Sequence, residues 1–118
     1  MLVRVDTASP VPLGDQVAAA VRGAIADGRA APGDRLPGAR QLAASLGVNV
    51  HTVLRGYRKL SEEGLIELRR GRGAVVTAGA GPDRADLVAR VRSLVTDARA
   101  LGLGDEELLA LLRTCQER

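Results

Sequence analysis

The chain has 118 residues, of which 46% are hydrophobic and 26% charged, and its formal net charge is +3 with an isoelectric point near 10.0. This length suits one small domain, alone or with an appendage, and limits the size of the core. No run of about 18 apolar residues is present, so neither a membrane span nor an apolar export signal is expected. The single cysteine, Cys115, excludes an internal disulfide framework, which fits a reducing cytoplasm.

The positive charge is concentrated in the first two thirds of the chain. Residues 1–79 carry 11 basic and 7 acidic side chains, whereas residues 80–118 carry 6 and 7. A localised basic patch is typical of a surface that binds nucleic acid. Charge alone leaves open the alternative that these arginines are ordinary solvated side chains.

Apolar periodicity and turn residues predict two helices in the first third of the chain. A short strand is predicted over residues 2–5, and helix one over residues 13–27, because its apolar residues recur at spacings of 3, 4 and 7. A loop rich in Pro and Gly follows. Helix two is predicted over residues 39–46, with Gly38 as its N-cap and Gln41 at the position of a capping-box partner.

A third helix, predicted over residues 50–63, follows helix two after a tight turn at Gly47. Asn49 is a good N-cap for it, and two helices with so short a connection have the spacing of a helix-turn-helix. One face of helix three is apolar, and the other is polar and basic. The apolar residues are Val53, Tyr57 and Leu60, and the polar residues are His51, Thr52, Arg55, Arg58 and Lys59.

A short hairpin is predicted after helix three. Gly64 ends the helix, and strands are predicted over residues 65–68 and 74–77. The connection between them reads Arg-Arg-Gly-Arg-Gly, residues 69–73. Its glycines allow a tight turn and a close approach to another molecule.

The last forty residues predict a linker, residues 78–83, and two helices with more apolar surface than they can cover themselves. Asp83 is a plausible cap of the first, and the acidic cluster at residues 105–107 favours the start of the second through the helix dipole. We expect the surplus surface to mediate dimerisation; the alternative is that both helices fold back on their own domain. The predicted dimerisation residues are Leu87, Val91, Leu94, Leu101, Leu108 and Leu112.

Helix three and the hairpin together have the chemistry of a DNA reader. Short polar residues, His51 and Thr52, occupy the end of the helix that would enter the major groove. Arg55 lies one turn further, and Arg is the usual bidentate partner of guanine. Arg58 and Lys59 are placed to contact phosphates. The arginines at the hairpin tip, Arg69, Arg70 and Arg72, can reach an adjacent minor groove.

On these motifs the sequence resembles the GntR family of winged-helix transcription regulators, and within it the YtrA-type subfamily. The resemblance runs through PGDRLPGARQLAASLGVNVHTV and EGLIELRRGRGAVV and covers about residues 10–77. It implies a mainly α fold with a small β-hairpin wing, in which a winged helix-turn-helix domain (1–78) precedes a two-helix dimerisation tail (79–118). It also implies a cytoplasmic homodimer that binds a pseudo-palindromic operator on double-stranded DNA and usually represses transcription. The DNA-contacting positions implied by the resemblance are Arg40, Asn49, Val50, His51, Thr52, Arg55, Arg70 and Gly71.

The sequence departs from the family pattern at several of these positions. Gly38 stands where Ser is usual, Val50 replaces Pro, and His51 replaces Asn. Gly56 replaces Ala, which in a helix interior costs about 1 kcal/mol. These changes bear on which operator is read.

Other function classes find little support in the sequence. One His and one Cys far apart are no metal-ligand cluster, and no nucleophile–base set or phosphate-binding loop is present, so no metal, cofactor or catalytic residue is predicted. Two alternatives remain: a winged helix used for protein contacts, and a nonspecific DNA binder. A small-molecule effector, if there is one, would have to lie at the dimer interface or between the tail and the winged helix.

Overall fold

The computed structural model describes residues 3–71, 73–77 and 81–117. The chain divides into two compact units, Met1–Asp86 and Leu87–Arg118. Within the described residues, no helix has the length and apolar character needed to cross a membrane. In chain order the elements are α1 (Leu13–Ala26), α2 (Ala39–Leu46), α3 (Val50–Glu62), β1 (Ile66–Arg69), β2 (Gly73–Val76), α4 (Pro82–Ala100) and α5 (Asp105–Gln116).

The core of the first unit is built mainly by α1 and α3. Val17, Val21 and Ile25 are fully buried and recur every four residues, so they form one face of α1. Val53 and Leu60 of α3 belong to the same buried cluster, and α2 adds Leu42 and Ala43 to it. Each buried Val, Leu or Ile contributes about 1.5–3 kcal/mol to the free energy of unfolding. The core of the first unit is therefore almost entirely aliphatic, with Tyr57 as its one aromatic residue.

Helices α1 and α3 approach each other closely at two glycines. A Cβ on Gly56 would lie 2.7 Å from the carbonyl oxygen of Gly14 and 3.1 Å from Cγ1 of Val17. Gly56 is buried here, although glycine is a poor residue for a helix interior. Its small size is what allows the backbones of the two helices to come together.

The turn between α2 and α3 has the expected structure. Gly47 ends α2 in the left-handed conformation, with φ of 70°, and the Val48 amide donates to the carbonyl of Ala43 at 3.0 Å. Asn49 then caps α3, because its side chain accepts a hydrogen bond from the amide of His51 at 2.8 Å. Gly38 is the N-cap residue of α2, but no side-chain cap hydrogen bond is present there, so the predicted role of Gln41 in a capping box is wrong.

The hairpin is antiparallel, with Ile66 opposite Val76 and Arg69 opposite Gly73. The stretch before α2, predicted as loop, in fact pairs with the outer edge of β2. Three backbone hydrogen bonds join them, from Gly33 to Val76, from Val76 to Asp34 and from Leu36 to Ala74, at 2.8–2.9 Å. The segment thus adds an isolated antiparallel bridge, Arg35 with Val75, to the edge of the two-stranded sheet, which sequence patterning missed because Pro and Gly flank it.

Several predicted boundaries need correction. Helix α1 ends at Ala26 and α3 at Glu62, because Asp27 and Glu63 are the C-cap residues rather than helical ones. Both hairpin strands are shifted by one residue, β1 toward the C-terminus and β2 toward the N-terminus, relative to the prediction. Residues 3–5 form no strand, although Val3 is buried.

The linker predicted over residues 78–83 ends earlier in the chain than expected. Its residues 78–80 lie outside the described part of the chain, and α4 already begins at Pro82. Asp83 therefore lies in the first helical turn rather than at the cap. There its charge still favours the helix start through the dipole.

The second unit contains the rest of α4 and all of α5. Gly102, with φ of 80°, allows the turn between the helices, and the Gly104 amide donates to the Glu107 carboxylate at 3.5 Å. Ala98 is buried, but no described residue of α5 is. The large apolar side chains left exposed are Leu87, Val91, Leu94, Leu101, Leu109, Leu111 and Leu112.

Candidate nucleic-acid interface

The outward face of α3 carries a continuous polar stripe. His51, Arg55, Arg58 and Glu62 are all exposed, and their spacing of four, three and four residues places them on one side of the helix. The opposite side holds the buried residues that fix α3 against α1. Among the described residues, neither Arg55 nor Arg58 forms an ion pair or hydrogen bond within the chain. Both guanidinium groups are therefore available to an external partner.

The residues at the start of α3 divide between capping and exposure. The Asn49 carbonyl oxygen caps the helix, so its amide NH₂ is the group left for a ligand. His51 is exposed. Thr52 and Val50 are half-buried, and Val50 packs against the core cluster. Of these four residues at the start of α3, Asn49 and His51 are thus the exposed ones, and only His51 has a side chain that takes no part in capping the helix.

Lys59 follows Arg55 by four residues on α3, at the edge of the stripe, and is half-buried. Its ammonium group pairs with the carboxylate of Asp15 on α1, and the two side chains are 41% and 25% exposed. Sequence patterning assigned Lys59 to the same face as Arg55 and did not find this ion pair. No local signal could have revealed it, because the partners are 44 residues apart.

Arg40 lies in the first turn of α2 and is exposed. The first turn of a helix also carries backbone N–H groups without intrahelical partners, which favour an anion such as a phosphate. Gly38 supplies no side chain to cap them. The start of α2 therefore offers both a guanidinium group and uncapped amides.

The wing presents further basic groups beside α3. Arg69 ends β1, and its guanidinium group donates two hydrogen bonds to the Glu67 carboxylate, at 2.8 and 3.0 Å. Arg70 and Gly71 form the described part of the turn; both are exposed, and Gly71 has φ of 80°. Arg72, predicted to contact DNA, lies outside the described residues. Gly73 also has positive φ, 72°, so both glycines of the turn adopt a conformation that other residues rarely tolerate.

Two arginines hold the C-terminal end of α3. The Arg22 guanidinium group of α1 donates to both carboxylate oxygens of Glu63, at 2.9 and 2.8 Å, and this ion pair is largely buried. Arg84, in the first turn of α4, donates to the backbone carbonyl of Glu63 at 2.9 Å. Positive groups at a helix C-terminus interact favourably with its dipole. Both contacts fix the position from which α3 presents its stripe.

Tyr57 joins α3 to the segment before α2. Its hydroxyl donates to the carbonyl of Pro37 at 2.7 Å, and its side chain is almost fully buried. Burial raises the pKa of Tyr57 from 10.0 to about 12, because the charged phenolate is disfavoured away from water. The one aromatic residue of the chain is thus a structural contact behind the candidate surface.

Within the described part of the chain, no group of three or more His, Cys, Asp or Glu side chains could hold a metal ion. Cys115 is free and exposed. The polar and basic groups that the structure gathers are those of α2, α3 and the wing.

Two helices joined by a tight turn, followed by a basic hairpin, define the first unit as a winged helix-turn-helix, a fold whose second helix reads the DNA major groove. The profile for bacterial regulatory proteins of the gntR family matches residues 13–76, more than half of the chain. The chain belongs to the GntR family, and it is a DNA-binding transcription regulator rather than an enzyme.

The relatives agree with this assignment over nearly the whole chain. The HTH-type transcriptional regulator Rv1152 of Mycobacterium tuberculosis is 37% identical over 110 residues, which cover 93% of this chain and 90% of the relative. The HTH-type transcriptional repressor YtrA of Bacillus subtilis is 30% identical over 112 residues, which cover 91% and 86%. The predicted resemblance to YtrA-type regulators is therefore confirmed.

Solved structures support the same fold. YtrA from Sulfolobus acidocaldarius, a GntR-family transcription factor, is 33% identical and matches with a TM-score of 0.65, over 85% of this chain and 99% of that one. The DNA-binding domain of AraR, solved in complex with operator ORX1, matches with a TM-score of 0.59 over 65% of this chain and 99% of that one. At 24% identity, the second likeness concerns the fold alone.

Proposed function

We propose that the chain acts as a homodimeric repressor that binds a pseudo-palindromic operator on double-stranded DNA. Its proposed location is the cytoplasm, the compartment of its DNA partner. Residues 1–78 would read the DNA, and residues 79–118 would hold the dimer together. The observation that carries the proposal is the exposed stripe of α3, whose unpaired arginines stand beside an arginine-bearing wing.

Each part of the surface has a role in this proposal. The start of α3, with Asn49, Val50, His51 and Thr52, enters the major groove, and Arg55 contacts a guanine edge. Arg58, further along the same stripe, contacts phosphates. Arg40 contacts the DNA backbone from α2. The wing residues Arg69, Arg70, Gly71 and Arg72 approach the adjacent minor groove, whose negative potential attracts arginine.

Lys59 has a smaller role than its sequence position suggests. The ammonium group is already paired with the Asp15 carboxylate of α1. An approaching phosphate would have to compete with that carboxylate. We therefore propose that Lys59 contributes to the general attraction for DNA but makes the weakest contact of the set.

Dimerisation is supported by the exposed apolar residues of the second unit. Leu87 is 51% exposed, Val91 49%, Leu94 40%, Leu101 81% and Leu112 40%, and Leu108 is half-buried. Apolar surface in contact with water is unfavourable, by about 25 cal/mol for each Å². A second copy would cover it, and a two-fold axis would place two copies of α3 about 34 Å apart, one turn of DNA.

Repression is supported by the relative that is named a repressor, YtrA of Bacillus subtilis. A dimer bound across an operator would occlude the polymerase.

Fluorescence anisotropy with labelled DNA tests the proposed function. The DNA would come from upstream of the gene for this chain, with a scrambled duplex as the control, both at about 150 mM salt because phosphate contacts are strongly salt-dependent. A preference of at least about a thousandfold for the natural fragment is expected of a specific regulator. Equal and weak binding of both duplexes would contradict an operator there and would favour a nonspecific binder.

A further inference from the structure

A groove of about 390 Å³ opens between the start of α2, the flank of α3 and the wing. Pro37, just before α2, and Ala39, its first residue, line the groove. The other walls include Leu54 and Tyr57 of α3, and Leu68 and Arg70 of the wing. The volume falls within the range of about 300–1,000 Å³ that is typical of small-molecule sites. All of these residues belong to the first unit.

The walls of this groove are mostly apolar, although it borders the surface proposed to bind DNA. Leu68 is 47% exposed and Leu54 is half-buried. The hydroxyl of Tyr57 is already bonded to Pro37, so it offers no free donor to a ligand. Protein–DNA interfaces are more polar and more positively charged than protein–protein ones. DNA binding therefore gives no reason for an exposed leucine on one wall facing a half-buried leucine on another.

Positive potential lies at the rim of the same groove. Arg70 is exposed and has no ion-pair or hydrogen-bond partner among the described residues. Arg69 also lines the groove, and its guanidinium group is paired with the carboxylate of Glu67. The uncapped first turn of α2, at Ala39, adds its dipole. A ligand that fits both features has an apolar body and one negative charge.

We propose that this groove is an effector site for a small amphipathic organic anion, such as a bicyclic aryl carboxylate. The apolar body lies between Leu54 and Leu68, and the carboxylate pairs with Arg70. Because Arg70, the start of α2 and α3 also belong to the proposed DNA surface, the anion and DNA exclude each other. This regulation rests on the proposed function, whereas occupancy of the groove does not.

The first experiment locates binding by two-dimensional NMR of the full chain, without DNA, titrated with 2-naphthoate up to about 10 mM. We expect the amides of Ala39, Leu54 and Ala74 to shift saturably, while those of Leu101 and Leu111 in the tail stay in place. A ligand of this size with ordinary efficiency gives a dissociation constant of about 1 mM or below. Shifts confined to the tail, or no saturable shift, would overturn the site.

Two matched comparisons test the chemistry of the ligand. Neutral 2-naphthamide should bind at least about fivefold more weakly, because it loses the charge-assisted bond to Arg70. Inorganic phosphate at the same concentration should shift these amides less than 2-naphthoate. Equal binding of the amide would remove the need for a charge, and equal shifts with phosphate would indicate an anion site without an apolar part; either result overturns the proposal.

A pair of variants tests the position of the ligand. Leu68→Glu places a carboxylate on the apolar wall and should abolish 2-naphthoate binding. Val11→Glu makes the same change at a residue equally exposed, 48% against 47%, but outside the groove, and should leave it unchanged. Equal affinity of both variants for 2-naphthoate would contradict the site. Preserved NMR dispersion shows that each variant is folded.

The regulatory step is tested separately with DNA. Adding 2-naphthoate should raise the dissociation constant for DNA in the wild-type protein by at least about threefold once the groove is two-thirds saturated or more. Sodium acetate at equal ionic strength controls for salt. Naphthoate bound in the groove with unchanged DNA affinity would overturn the exclusion alone, and a chain that prefers no fragment would refute the operator without affecting the groove.

Discussion

Arg55 and Arg58 share the exposed stripe of α3 but lie at different distances from its start at Val50, about one and a half turns and just over two turns into the helix. Because the N-terminal residues of a reading helix lie deepest in the groove, the two guanidinium groups are expected to contact different parts of the DNA.

Arg55→Ala should weaken binding to the operator by about 1–3 kcal/mol and leave binding to random DNA nearly unchanged, because a base contact is lost. Arg58→Ala, the matched control, should weaken both and reduce the salt slope by about one phosphate contact. Anisotropy on both duplexes over a range of salt concentrations measures these effects. An equal loss on the two duplexes for Arg55→Ala would exclude it from base recognition.

Tyr57 gives a direct optical test of the core behind α3, because it is the only aromatic residue in the chain. Absorbance of the phenolate should appear near pH 12 in the folded protein and near pH 10 in urea. Since the folded pKa is the higher one, this residue's contribution to stability is complete below pH 10 and is lost as the pH rises to about 12.

Tyr57→Phe should abolish that pH dependence. Below pH 10 it should also lower the free energy of unfolding by about 1 kcal/mol, because the variant lacks the hydrogen bond to Pro37. Urea unfolding at a series of pH values provides the measurement. A single titration near pH 10 in the native protein would show that the ring is accessible to water.

At the scale of elements, the contact between α1 and α3 depends on Gly56. Gly56→Ala should destabilise the fold by about 1–2 kcal/mol, because the clash with the Gly14 carbonyl outweighs the gain of about 1 kcal/mol in helix propensity. Gly23→Ala is the matched control: it lies inside α1, its Cβ would meet nothing within 4 Å, and it should stabilise by up to about 1 kcal/mol. Urea unfolding at equal protein concentration compares the two, and stabilisation by both substitutions would show that the helices are not in close contact.

Some features of these elements could be predicted from the sequence, and others could not. The start of α3 follows from Asn49, whose side chain caps the adjacent residues, and such local chemistry is readable in sequence. The pairing of residues 33–36 with β2, the burial of Gly56 and the ion pair of Lys59 with Asp15 depend on groups distant in the chain. Sequence patterning therefore singled out α3, whose exposed face carries the candidate site, but could not show that Lys59 is paired with Asp15.

At the scale of the molecule, the exposed leucines of α4 and α5 are the feature that a single copy leaves unexplained. Val91→Glu combined with Leu112→Glu should convert a dimer to a monomer at tens of micromolar, because charged groups at the centre of an apolar interface are costly. Val11→Glu, at an apolar residue of similar exposure in the first unit, should remain dimeric. Sedimentation velocity distinguishes these states, and a monomeric wild-type protein would contradict the dimer itself.

The most direct test of the central claim is the selection of bound duplexes from a random DNA pool by the wild-type chain. A dimer that presents two copies of α3 should enrich an inverted repeat whose half-sites are centred about 10 base pairs, or a multiple of it, apart. Such a motif would support sequence reading and two-fold symmetry together. Enrichment of a single half-site would contradict the dimer, and the absence of any enriched motif would contradict a sequence-specific regulator.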